Sequence, residues 1–581
     1  MKSFILTAAF IVAASATVSA KTNSPKALAN GYPYTQVPFT SVSLSHNSFW
    51  GARLEAARKV TIPLAFSKCE SEHRYKNFEM AGYTLRHPGH QGLNTPEWDV
   101  AKIMGLAFDD TDVYKTIEGA SYILQTYPDK KLRAYIDSVL NVVAAAQEPD
   151  GYLYTARTIN PEHPHGWAGK KRWEREEDLS HELYNLGHMV DAACAHYQAT
   201  GSRKFLDIAR RYADCVCREV GAGSGQTTVV PGHQIAEMAL ARLYTLTGEK
   251  RYLDEARYLL DFRGKTPKRQ EYSQSHKPIL EQDEAVGHAV RAGYMYAGIA
   301  DVAALTQDTA YINTIDRIWQ NIVGKKIYLT GGVGALHWGE AFGNNYELPN
   351  MTAYNETCAA ISMVYLYERM FLLHGESKYI DCLERTLYNG VISGMSMDGG
   401  RFFYPNPLSS DGKYAFNADN NTTRQPWFGC ACCPSNLCRF IPSVPGYLYG
   451  VKGNDIYVNL FAANTSTVSV GGKEVVLEET TDYPWNGDVR ICVKKSAAKN
   501  ANILVRIPGW VNNQVLPSDL YKYSDTERPT YTVTLNGKKV EADVAANKGY
   551  MPVKNVKKGD VISIHFDMPV RTVVANRNVK D

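Results

Sequence analysis

"ATGSRKFLDIAR" at residues 199–210 and "LTGEKRYLDEAR" at residues 246–257 repeat one phrase, a short turn that feeds an amphipathic helix. Such an echo points to helices laid down in pairs. Working outward, "DVYKTIEGASYILQTY", "HELYNLGHMVDAACAHYQAT", "RKFLDIARRYADCVCREV" and "DEAVGHAVRAGYMYAGIADVAALT" carry apolar residues at three- and four-residue spacing, so residues from about 50 to 385 read as helical. Gly, Asn and Pro separate the pieces. A closed ring of antiparallel pairs would give a concave floor with loops above it, and a straight solenoid an elongated face; periodicity alone leaves both open.

After about residue 440 the period changes. "NDIYVNLFAANTSTV", "DVRICVKK", "PTYTVTLNGKKV" and "DVISIHFDMPVRTVV" alternate polar with apolar side chains between turn residues, which fits an antiparallel β-sandwich. "YTQVPFTSVSLSHNSFW", residues 34–50, could add a strand to it. The boundaries expected are a signal peptide at 1–20, an N-terminal strand or linker at 21–45, a helical catalytic domain at 46–440 and a β-sandwich region at 441–581. "DGYLYT" at 150–155 could form a loop over the site.

The signal peptide rests on Lys2, the short apolar run "FILTAAFIVAASATV" and the small residues that end at Ala20. Later, "AAISMVYLYERMFLLHG" is broken by Glu368 and Arg369, so no stable membrane insertion is expected. The reading is an exported protein, periplasmic or secreted. Its 63 Lys plus Arg against 60 Asp plus Glu leave no basic field for a nucleic acid. The 37 tyrosines and nine tryptophans suit the flat C–H faces of sugars.

"WFGCACCPSNLC", residues 427–438, concentrates four of the eleven cysteines. Cys69, Cys194, Cys215, Cys217 and Cys382 are scattered through helical segments and read as small buried hydrophobes. Adjacent Cys432 and Cys433 can ligate one soft ion together. "AYNETCAAISMVYLYERM" offers Glu356 and Cys358 at the entry to a long apolar helix, and three thiolates with one carboxylate make a plausible tetrahedral zinc set. In the competing reading Glu356 merely caps that helix and Cys358 packs inside it.

"LTGGVGALHWGEAFGNNYELPNMTAYNETCAA" from Leu329, followed by "FFYPNPL" and "ACCPSN", resembles the beta-L-arabinofuranosidases of glycoside hydrolase family 127 and the related family 146. "HELYNLGH" at 181–188 and "EAVGHAVRA" at 284–292 resemble two further signatures. The resemblance implies an (α/α)6 toroid catalytic domain with a C-terminal antiparallel β-sandwich, which selects the ring. It implies Zn2+ held by Glu356, Cys358, Cys432 and Cys433, with Cys432 as nucleophile and Glu340 as general acid/base. It further implies that His188, His288 and Tyr404 line the sugar pocket; Trp338, on the same loop as Glu340, either packs against the sugar or covers the loop. Cys430 adds a thiol beside this set.

A retaining glycosidase needs a nucleophile and an acid/base on opposite sides of the anomeric carbon, and both are assignable. The expectation is exo-acting release of L-arabinose from β-L-arabinofuranosides of a plant-derived glycan or oligosaccharide. The alternatives are a glycosidase acting on another pectic furanose such as aceric acid, a zinc-stabilised carbohydrate-binding protein, and a lyase on acidic polysaccharide. No dense arginine motif favours the lyase. Oligomeric state is not legible.

Overall fold

A computed structural model describes residues 31–88 and 104–581. The expected signal peptide lies outside the described residues. The helical part opens with α1 (Phe49–Ala56), α2 (Ile62–Ser71) and α3 (Arg74–Arg86). Helices α4 (Asp110–Thr126) and α5 (Lys130–Ala145) form the first hairpin, followed by the single turn α6 (Thr155–Thr158). Three more hairpins follow: α7 (Glu182–Thr200) with α8 (Lys204–Glu219), α9 (Ala236–Thr247) with α10 (Lys250–Asp261), and α11 (Ala289–Thr306) with α12 (Thr309–Asn321). A longer connection leads to α13 (Thr357–His374) with α14 (Ser377–Arg385), and α15 (Cys432–Phe440) ends the helical part.

The ring closes. Helix α4 packs on α7, α7 on α9, α9 on α11, α11 on α13, α13 on α15, and α15 returns to α4. The second helix of each hairpin lies outside its partner, and α2 covers α4 and α15. Composition explains the two layers: in α11 every residue from Ala289 to Ala304 is buried, whereas α8 buries one stripe of Phe205, Leu206, Ile208, Ala209, Tyr212, Ala213, Cys215 and Val216. The repeated phrase marks the start of two outer helices, α8 and α10. Charges buried in the ring are paired across it: Arg439 of α15 lies 3.1 Å from Glu118 of α4 and 3.5 Å from Asp191 of α7, and Arg242 of α9 lies 3.3 Å from Asp191. Removing one partner from such a network leaves an uncompensated buried charge, a loss of about 3–5 kcal/mol.

The C-terminal part contains a five-stranded sheet in the order 35–36, 449–452, 455–458, 502–506, 550–553. A seven-stranded sheet runs 538–539, 531–535, 561–566, 488–496, 473–481, 464–470, 42–44. The front segment therefore adds a short strand to each. Pairing is antiparallel except between 455–458 and 502–506, because the chain between those two strands crosses into the other sheet and returns in the same direction. Arg506, fully buried, fastens the sandwich to the outer wall of the ring through Asp381 at 2.6 Å and Glu384 at 2.5 Å on α14.

Candidate active site

All six inner helices begin at one cavity of about 670 Å3. Its walls come from their first two turns and the loops before them, including Lys115 on α4, His181 and Tyr184 at α7, His233 before α9, His288 and Arg291 at α11, Glu356 and Cys358 at α13, and Cys430 and Cys432 at α15. Helix N-termini carry partial positive charge, so the floor favours thiolates and carboxylates.

The sulfur wall joins two neighbouring inner helices. Cys358 is the second residue of α13, and Cys432 and Cys433 are the first two of α15. Glu356 sits at the N-cap of α13, but its side chain accepts no cap hydrogen bond and turns into the cluster, so the capping reading fails. The entry is clamped by the "FFYPNPL" segment: Asn406 Nδ2 donates to Thr357 Oγ1 at 2.9 Å and Asn355 O at 3.2 Å, while Thr357 N donates to Tyr404 O at 3.0 Å.

Cys358 Sγ is 3.3 Å from Cys433 Sγ and 3.8 Å from Cys432 Sγ, and the last two are 3.9 Å apart. Glu356 Oε1 lies 3.7 Å from Cys432 Sγ and 3.4 Å from Cys433 Sγ, while Glu356 Oε2 is buried without a partner. A tetrahedral ion with bonds of ~2.3 Å to sulfur and ~2.0 Å to oxygen has edges of about 3.8 and 3.5 Å, so this set fits a metal. Burial pushes the Cys432 and Cys433 thiols up, whereas Cys358, although burial opposes it, is held down to about 6 by hydrogen bonds from those two thiols; a cation among them would favour the thiolate at all three. Cys430 stays outside the four-atom group, its Sγ 3.7 Å from Tyr404 Oη. The same Tyr404 Oη is 2.7 Å from Cys432 Sγ.

Beside the sulfur cluster runs a row of histidines ending at Glu340. Val290 N and Arg291 N donate to His288 Nδ1 at 3.2 and 3.4 Å, so Nε2 carries the proton it presents to Glu340 Oε2 at 2.8 Å. Tyr354 Oη donates to Glu340 Oε1 at 2.7 Å. Burial opposes ionisation of Glu340, but the His288 and Tyr354 hydrogen bonds outweigh it and hold the carboxyl below its ordinary range. Glu340 rides a tight loop closed by two hydrogen bonds between Leu336 and Ala341, with a left-handed backbone at Gly339 (φ 69°) and Glu340 itself (φ 51°). The latter strains a non-glycine residue by about 1–3 kcal/mol. Phe342 N donates to Gly287 O at 2.9 Å and docks this loop beside His288. Only glycine fits at 287, where an added Cβ would lie 1.9 Å from Glu271 O.

Burial lowers His181 to about 3 and His233 well below the usual range, so both rings are neutral. Nδ1 of His181 bonds Leu179 O and that of His233 bonds Gln234 O, which leaves each Nε2 as an acceptor for a hydroxyl. A carboxylate oxygen of Glu340 lies within 4.8 Å of one on Glu356, which joins the two walls.

Sequence profiles described as "Beta-L-arabinofuranosidase, GH127 catalytic domain" and "Beta-L-arabinofuranosidase, GH127 middle domain" match residues 41–446 and 455–568. A non-reducing end beta-L-arabinofuranosidase of Bifidobacterium longum subsp. longum is 36% identical over 507 residues, 82% of this chain and 73% of that protein. A solved GH127 beta-arabinofuranosidase is 61% identical with a TM-score of 0.89, over 95% of this chain and 83% of its own. The GH127 beta-L-arabinofuranosidase from Geobacillus stearothermophilus T6 is 36% identical with a TM-score of 0.82, over 93% and 83%. The chain belongs to the GH127 beta-L-arabinofuranosidase family.

In this GH127 chain the cavity brings together Cys432, Cys358, Glu356, Glu340, His288, Tyr404 and Trp338, and Cys433 lies behind Cys432 in the cluster. His188 is a correction. It lies mid-helix in α7, fully buried beneath Tyr184 at a ring distance of 4.5 Å, and does not line the cavity. Its "GH" phrase misleads because Gly187 serves helix packing: a Cβ there would lie 2.5 Å from Ile235 Cγ2. The histidine of that helix that reaches the cavity is His181, seven residues earlier at the N-cap. His233, in "PGHQIAEM", was missed, although it shares with His288 the pattern of Gly-His just before an inner helix. "DGYLYT" is not a cover: Tyr152 and Tyr154 are fully buried, and Tyr152 Oη donates to Glu182 Oε1 at 2.6 Å.

Proposed function

We propose that this glycosidase releases L-arabinose from the non-reducing end of β-L-arabinofuranosides with retention of configuration, with Cys432 as nucleophile and Glu340 as acid/base. The observation that carries the reading is one cavity lined both by a sulfur cluster and by a hydrogen-bonded carboxylate. The proposed ligand set for zinc is Glu356, Cys358, Cys432 and Cys433. Zinc bound there would keep the three sulfurs as thiolates at neutral pH.

Cys432 Sγ attacks C1 of the arabinofuranosyl ring, and the C1–O bond to the leaving group breaks as Glu340 gives that oxygen a proton. Tyr404 Oη, 2.7 Å from the sulfur, accepts from the Cys432 thiol and so orients it; to the thiolate the phenol would donate in turn, a hydrogen bond that the thioether no longer needs once S–C1 has formed. Glu340 then takes a proton from water, the oxygen of which attacks C1 and displaces the sulfur. Two inversions leave the β configuration. The neutral rings of His181 and His233 offer acceptors for the sugar hydroxyls. Family membership sets aside a carbohydrate-binding protein without activity.

Proton NMR of the first-formed sugar tests the reading: β-L-arabinofuranose is expected, and an initial α product would overturn the double displacement. A second reading, an acidic furanose such as aceric acid, is favoured by Lys115 and Arg291 in the cavity wall. Both cations already have partners, Tyr184 Oη at 3.0 Å for Lys115 and Tyr272 Oη at 3.5 Å for Arg291, and Glu340, Glu356 and the sulfurs balance their charge. The neutral pentose of a plant-derived glycan is therefore the first choice. An exported enzyme would meet such glycans outside the cytoplasm.

A further inference from the structure

The cavity, about 670 Å3, is larger than one pentose needs and leaves room beyond the sugar that meets Cys432. Its two ends differ. The metal-ligating group, Lys115 and Arg291 belong to the inner helices, whereas the mouth is aromatic.

At the mouth, Trp338 is 92% exposed, without an aromatic or hydrogen-bonding partner among the described residues. It stands two residues before Glu340 on the same strained loop, ahead of α13. In the order of the ring, α7 is three helices from α13, diametrically opposite. The loop ahead of α7 supplies Trp167, which packs on Phe108 with ring centroids 6.2 Å apart and is backed by His181 at 6.4 Å. A ligand entering the cavity therefore passes between a free indole on the acid/base loop and a fixed aromatic wall facing it. Glu340 turns inward to His288 and Tyr354, so a leaving oxygen placed on Glu340 puts the rest of the leaving group at Trp338.

We propose that Trp338, with Phe108 and Trp167 across the mouth, forms the leaving-group subsite, and that it takes a neutral ring with an open C–H face, a second sugar, in preference to an acyclic group. The inference rests on the glycosidase reading above and names what lies on the far side of the scissile bond. An indole face covers sugar C–H groups, and apolar area left in water by Trp338 is removed when the ring binds. Among the described residues, Trp338, Phe108 and Trp167 line this part of the cavity with uncharged aromatic rings, which suits a neutral occupant.

The test uses the full chain and two substrates, methyl β-L-arabinofuranoside and a β-L-arabinofuranosyl-arabinose disaccharide. For Trp338→Ala, the ratio of kcat/KM for the disaccharide to that for the methyl glycoside should fall about tenfold, mainly through KM, and Trp338→Phe should restore most of it. An unchanged ratio overturns the subsite, whether both activities drop together, as a role in placing Glu340 requires, or neither drops. If the parent enzyme cleaves neither compound, the glycosidase reading fails separately. Calorimetry then reads the subsite: tighter binding of the disaccharide that is lost in Trp338→Ala supports it, and equal binding by the parent and the variant overturns it.

Discussion

Two cavities of nearly equal size lie in this molecule, about 670 Å3 inside the helical ring and about 620 Å3 on the sandwich. The second is also polar: Ser563, Arg490 and Thr480 stand side by side on three adjacent strands, with Asp482, Asn486 and Asp488 at its edge. What separates them is the surroundings of the polar groups. In the ring, carboxylates, thiols and imidazoles sit buried at six helix N-termini, where position shifts their protonation and withholds their usual partners, as with the orphaned Glu356 Oε2. On the sandwich, Arg490 and its neighbours face water, which screens them and competes for every hydrogen bond. Volume makes room for a ligand; burial of opposed reactive groups makes chemistry.

The comparison breaks most visibly at Glu340. Glu340→Gln should lower kcat/KM for an unactivated substrate by roughly 10²- to 10⁴-fold, with metal content by elemental analysis near that of the parent. A good leaving group should recover much of the first step. Retained activity on both substrates would remove Glu340 from the proton-transfer role.

A smaller effect is expected one residue deeper. The His288 Nε2 hydrogen bond both stabilises the Glu340 carboxylate and holds it in place, so His288→Ala should raise the carboxyl pKa, while the lost positioning lowers kcat/KM about 10- to 100-fold. Since the first step needs the protonated acid, the alkaline limb of the kcat/KM profile should move to higher pH. A limb that stays or moves down would show that another group sets it.

The smallest effect belongs to the other cavity. Arg490→Ala should change kcat/KM on a small arabinofuranoside by less than about threefold, as expected for an exposed sheet residue. A larger loss would mean that the sandwich groove communicates with the ring.

How far the sequence could be read follows the same division. The helical period, the alternating strands and the dense "CACC" cluster are local signals, and ring, sandwich and ligand group all appear where those signals stand. Closure of the ring is not local: it depends on α15 meeting α4 across more than three hundred residues, and only the family resemblance supplied it. The histidines show the limit within one helix. His181 and His188 are seven residues apart, but His181 is the left-handed N-cap residue at the cavity and His188 lies inside α7, so one lines the cavity and the other is core. Spacing along the sequence does not give the depth along a helix axis, which comes from packing. Lys115 and Arg291 carry the same ambiguity, resolved only by which helix end meets the cavity.

In the proposed double displacement the sulfur of Cys432 carries the sugar. The Glu340→Gln enzyme, incubated with a 2,4-dinitrophenyl β-L-arabinofuranoside and followed by intact mass and peptide mapping, should carry a pentosyl adduct on Cys432; an adduct on a carboxylate, or full turnover by Cys432→Ser, would overturn the sulfur nucleophile.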